Sequence, residues 1–227
     1  MHDKLHAVKL LIWPAIVLLL GCAAPRQINL QPMYGGVEKL PNEIDADKEF
    51  IQGVVKFCGS RDSAAKLLAP RAWHYYYKKD FNTAMKRFNQ VWLLDSTNYN
   101  SYWGFALLYE AKHHSTDTII QFLELAHNYA PKVPRLTLSM VQSYIYECRD
   151  IKINSSENKI AKIYRSINLS DSIKDTISNE PELYKAWSQA CLLINDKKCA
   201  HEKIDILEKL GIPSDNISEY HKAINTY

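Results

Sequence analysis

Residue types in this chain recur at a fixed interval of 34: Ala72 and Ala106, Tyr75 and Tyr109, Phe88 and Phe122, Val91 and Leu125. A period of that length marks one supersecondary unit, and a single unit cannot bury its apolar face alone, so neighbouring copies are expected to stack. Ala84, Phe88 and Val91 stand at i, i+4 and i+7, which places all three on one helical face. Small Ala72 lets a second helix approach closely, and the bulky residues fill the space that remains. Asp95-Ser96-Thr97-Asn98 supplies turn and capping residues before the next copy. The expected fold class is all-α, built from helical hairpins.

Ala72, Tyr75, Ala84, Phe88 and Val91, with SYWGFALLYEA from Ser101 as a following first helix, resemble the tetratricopeptide repeat family. The likeness is best over residues 64–146. Ser96 departs from it where the family often has Pro, and Thr118 stands where a small Ala is usual. A third copy begins at PRLTLSMVQSYIY, with Met140 one period after Ala106, but Ser143 replaces the expected aromatic and Ser156 falls one period beyond Phe122. Residues 181–211 look like a degenerate, shortened copy. The resemblance implies helical hairpins stacked into a right-handed superhelix over 45–227, with a concave groove lined by first-helix positions.

Carried over by spacing, that groove comprises Trp73, Tyr76, Tyr77, Trp103, Leu107, Glu110 and Tyr144. Rigid aromatic surfaces anchor protein or peptide partners at little entropic cost. The same rings alternatively serve as core, since Tyr and Trp also fill gaps between stacked helices. The lysine and asparagine pattern by which some members clamp a C-terminal carboxylate is missing, because Ala69 and Trp73 stand where it would begin.

The start of the chain differs from everything after it. Lys4 and Lys9 precede an apolar run, Leu10 to Leu20, which ends in Leu19-Leu20-Gly21-Cys22. Residues 1–21 are expected to be a secretory signal peptide, too short to span a bilayer comfortably. LLGC is similar to the bacterial lipobox, which implies cleavage before Cys22 and attachment of diacylglycerol and palmitate there. Acyl chains at about 0.8 kcal/mol per buried methylene would hold a soluble domain at the membrane surface. Ala23, and not Asp, follows Cys22, and by the same resemblance this implies the periplasmic face of the outer membrane. Residues 22–44 read as an acylated tether, with three Pro and a Gly-Gly pair in AAPRQINLQPMYGGVEKLPN. Extended, it would reach about 65 Å at about 3.3 Å per residue. PMYGG, Pro32 to Gly36, could instead be an ordered strap on the first helices.

Helices are then expected in order. Asp45 and Asp47 open the first, with Phe50, Val54 and Phe57 as its apolar stripe and Gly59 as its stop. Ser63 to Lys79 carries Pro70, which should kink or split it. Asn82 to Leu94, Asn100 to Lys112, Thr116 to Asn128 and Leu136 to Cys148 follow. Ile160, Ile163, Tyr164 and Ile167 share a face of the next. Pro181 suits the first turn of a helix through Ile194, and Ala200, Ile204 and Leu207 stripe its partner, which Gly211 and Pro213 stop. Residues 216–225 suit a short capping helix.

Composition and motifs narrow the function class. A formal net charge of +3 over 227 residues argues against nucleic acid as a partner. Beyond Cys22 the cysteines are Cys58, Cys148, Cys191 and Cys199; the last two could be bridged in an oxidising compartment, or all four could be small buried apolar residues. No CxxC, HExxH, GxSxG or glycine-rich phosphate loop is present, so no metal site, cofactor or catalysis is expected. The expectation is a lipid-anchored protein-binding or assembly scaffold of the bacterial envelope. Its nearest analogues in architecture and anchor are small repeat lipoproteins that escort envelope machinery, such as type IV pilus pilotins and outer-membrane assembly factors. The alternatives are a structural subunit of an envelope, pilus or secretion complex, or an accessory to a cell-wall hydrolase.

Overall fold

The computed structural model describes residues 27–149, 157–213, 217–219, 221 and 222. The signal peptide, Cys22 and the 150–156 connection lie outside the described residues, as does much of the expected capping helix. Within them the chain is helical, with no strand: α1 (Pro41–Cys58), α2 (Arg61–Tyr77), α3 (Phe81–Leu94), α4 (Tyr99–Ala111), α5 (Thr116–Tyr129), α6 (Pro134–Cys148), α7 (Glu157–Ile173), α8 (Pro181–Leu193) and α9 (Lys197–Lys209). The most extensive packing is within α2–α3, α4–α5, α6–α7 and α8–α9, and each pair packs next on its neighbour. Short connections make the helices within α2–α3, α4–α5 and α8–α9 antiparallel.

Local chemistry sets the boundaries. Ser60, Asp80, Asn98, Ser115 and Asp196 each accept a main-chain N–H in the first turn of the helix that follows. Pro41, Pro134 and Pro181 occupy the first turns of α1, α6 and α8, where no N–H is needed. Arg61 donates from Nε and Nη2 to the carbonyls of Leu94 and Leu93, closing the C-terminus of α3 from the start of α2. Gly59, at φ 82°, stops α1.

The core runs through the stack as clusters. Ala72, Ala84, Phe88, Phe105, Ala106, Phe122 and Met140 belong to one, so the residues that carry the 34-residue period meet in space. Gly104 is the tightest point, because a Cβ there would lie 2.4 Å from the Phe88 ring. Polar ties join the later helices: Lys162 donates to both Glu147 oxygens at 2.7 Å, while Glu124 accepts from Tyr144 Oη and pairs with Arg165. Cys191 and Cys199 are joined by a disulfide between α8 and α9, with Cα atoms 5.8 Å apart, whereas Cys58 and Cys148 are free thiols.

Several expectations need correction. Of the two alternatives at Pro70 the split does not occur: α2 runs unbroken from Arg61 to Tyr77. Phe57 is 84% exposed, and the inner face of α1 is Phe50, Ile51, Val54 and Cys58. α1 covers Val91 and Leu94 together with α2, whereas Leu125, one period after Val91, is 40% exposed. On α7 only Ile163 and, partly, Ile167 of the expected face turn inward. Ser166, Ser170 and Ile173 complete the buried side, since small residues allow closer helix approach, and Ile160 and Tyr164 face out.

The stretch expected as a tether over 22–44 is ordered in its described part. Ile28–Leu30 and Pro32–Gly36 form short 3-10 turns on α3, and α1 already begins at Pro41. Glu43 accepts the Leu40 N–H at 2.8 Å, which places the N-terminal cap of α1 ahead of Asp45 and Asp47.

Candidate binding face

Among the first helices of the pairs, α2 packs on α4 and α6 on α8, and a Trp103–Ser139 hydrogen bond links α4 to α6. These helices carry all seven residues expected to line a groove. Trp73 is half-buried: its Nε1 donates to Asn100 Oδ1 at 2.8 Å, and its ring meets Phe88 and Trp103 edge-on at 5.0 and 4.8 Å. Trp103, also half-buried, donates from Nε1 to Ser139 Oγ at 3.2 Å. Both indoles therefore serve as ties between successive helices as well as surface. Tyr76 is half-buried, packed edge-on to Trp73, and burial, with Glu110 and Tyr77 nearby, raises its phenol pKa. Tyr77 stands 75% exposed and stacks on Trp73, and Leu107 is half-buried.

Tyr144 does not belong to this surface. It is 0% exposed, its hydroxyl is bound to Glu124, and it sits in the core with Phe122 and Met140. Burial first, then the Glu124 contact, pushes its phenol pKa well above the ordinary value. The 34-residue spacing selects a first-helix position correctly but not the rotation of α6, whose outward residues are Gln142 and Tyr146.

A cleft of about 690 Å³ opens further along the same side, lined from α4 and the following turn by Glu110, His113 and His114, from the start of α5 by Thr116 and Ile119, from α6 and its C-terminal cap by Gln142, Tyr146 and Arg149, and from α8 by Lys185 and Gln189. Glu110 joins this cleft to the aromatic group. The residue is exposed in total area, and partial desolvation against its neighbours raises its carboxyl pKa. Arg149 donates to Gln189 Oε1 at 3.2 Å and Lys185 pairs with Glu182 at 2.7 Å, so the cleft presents both charges on fixed arms. Tyr146, 63% exposed, supplies an apolar plate. No protein-family model and no curated protein matches this chain. Chemically the face can hold an extended polypeptide, with rings at one end and hydrogen-bonding groups of mixed charge at the other.

One residue absent from the sequence expectations is central elsewhere. Asn89 is fully buried on α3, where its Nδ2 donates to the carbonyls of Asn29 and Gln31 at 3.0 and 2.8 Å and its Oδ1 accepts the Tyr34 N–H at 3.4 Å. A polar residue next to Phe88 in an amphipathic helix is the signal the sequence offers. No group of three His, Cys, Asp or Glu among the described residues is placed to hold a metal ion.

Proposed function

We propose that this chain is a lipid-anchored, tetratricopeptide-like scaffold that binds a protein or peptide partner at the bacterial cell envelope and performs no catalysis of its own. The observation that carries this reading is the cleft of about 690 Å³ on the first-helix side, joined through Glu110 to the Trp73, Tyr76 and Tyr77 group. Four consecutive helix pairs support the repeat architecture, and with it a right-handed superhelix. Lys4, Lys9, the apolar run and LLGC support export and acylation of Cys22, with Ala23 favouring the outer membrane. A Cys191–Cys199 disulfide suits an oxidising envelope compartment. Among the described residues no helix is long and apolar enough to cross a membrane, and an acyl anchor needs none.

A photoreactive residue at Tyr77 or Tyr146 of the full-length chain, activated in cells, tests the binding face. The expected result is one discrete protein adduct common to both sites and lost when Glu110 and Arg149 are both replaced by alanine. Labelling no stronger than from Asn82, on the exposed side of α3, would overturn the reading.

A further inference from the structure

The strap changes what the anchor does. Three sets of contacts fix residues 27–40 in place. Asn89 holds the main chain at three points, as described above. Tyr34 is buried, its ring 6.4 Å from that of Trp92, and Lys39 lies over the Tyr34 ring while pairing with Asp47 of α1. Gln31 accepts from Tyr109 Oη at 3.2 Å, and Met33 packs on the core cluster. Met33 and Tyr34 are held at φ 51° and 58°, a left-handed turn that non-glycine residues adopt only when their surroundings impose it.

The strap packs chiefly on α3, with one bond to Tyr109 of α4. Phe88 and Val91 of α3 point into the stack, while Asn89 and Trp92 meet the strap. Resting on the acylation of Cys22 proposed above, the chain from Cys22 to Gln27 is five residues long and reaches at most about 17 Å at about 3.3 Å per residue. A tether of the whole 22–44 stretch would have left orientation free, whereas this one ends against α3, a second helix.

We propose that residues 27–40 act as a bracket that seats the second-helix face, α3, α5 and α7, against a lipid surface and turns the first-helix cleft away from it. The side chains of that face fit an interface. α5 exposes Leu125 and Tyr129, α7 exposes Ile160 and Tyr164, and α3 exposes Lys86. The Arg165–Glu124 bridge joins α5 to α7, with all four apolar side chains within about a turn and a half of it along their helices. Tyrosine rings settle at headgroup level, and lysine answers lipid phosphate.

The test uses the full-length chain in membranes carrying a radiolabelled phospholipid, with a photoreactive residue at Tyr129 or Tyr164 on one face and at Tyr77 or Tyr146 on the other. Lipid adducts at least about tenfold more abundant at Tyr129 and Tyr164 are expected. Inserting about twelve Gly and Ser residues immediately before Gln27 leaves the strap bound but frees the domain, and should abolish that bias. Labelled palmitate is followed in parallel. Absence of palmitate would sink the anchor reading itself. Palmitate present with equal adducts from both faces, or a bias unchanged by the insertion, would overturn the bracket alone.

Discussion

Gly104 is where the distance between helices is decided. The Phe88 ring sits 2.4 Å from where a Cβ would be, and Phe88 is fully buried and has no room to withdraw. Gly104→Ala should therefore lower unfolding stability by about 1–3 kcal/mol, read from the urea midpoint. Phe88→Leu in the same chain should recover part of that loss, and two purely additive costs would show that the contact is not the cause. The sequence made Ala72, Ala84, Phe88 and Ala106 legible as core because their interval repeats. It left Asn89 unread and Tyr144 open between groove and core, because a period locates a residue along a helix but a few tens of degrees of helix rotation decide whether it faces core, strap or solvent.

At the scale of the element, α2 is the clearest departure from local rules. Pro70 lies ten residues into a continuous helix and leaves the Lys66 carbonyl without its i+4 donor. Pro70→Ala restores the bond at the cost of a looser unfolded chain, so a net gain of about 1–2 kcal/mol is expected in denaturant unfolding. An unchanged or lower midpoint would contradict it. The helix survives because Ala64, Ala65, Leu68, Ala69 and Ala72 are buried along it, and tertiary packing outweighs a single broken bond. Most helix ends were legible within a residue or two, since Gly59, Asn98, Pro181 and Gly211 are strong local signals. The start of α1 was not, because its cap is Glu43 bonding back to Leu40 and its reason for existing, the α2–α3 end it covers, is not local. The α8–α9 pair carries its own brace: reduction of Cys191–Cys199, eight residues apart, should cost about 2.5 kcal/mol through loop entropy. Thiol titration of the unreduced, unfolded chain should find Cys58 and Cys148 reactive and the other two silent, whereas four reactive thiols would refute the bridge.

For the whole molecule, acidity connects the cleft to stability. The Glu110 pKa is raised in the folded state, so the folded chain holds that proton over a range in which the unfolded chain has lost it. Its ionisation therefore erodes stability as pH rises from about 4.3, the ordinary glutamate value, through the higher folded value. Glu110→Gln should flatten that decline in urea midpoints measured across this window while leaving the acid end unchanged, and identical profiles would refute the assignment. A stack of helix pairs ordinarily frays from its tips, where each terminal unit has one neighbour instead of two. Here the strap and α1 close one tip and a covalent bond closes the other, while α7 turns Ser166 and Ser170 inward with only Ile163 and Ile173 fully buried beside them. Opening is thus displaced to the interior, and amide exchange should be fastest in α7, ahead of α2 and α9. The two halves of the cleft, α4 on one side and α8 on the other, would then part at that joint, giving the molecule a waist where a partner's girth can be accommodated.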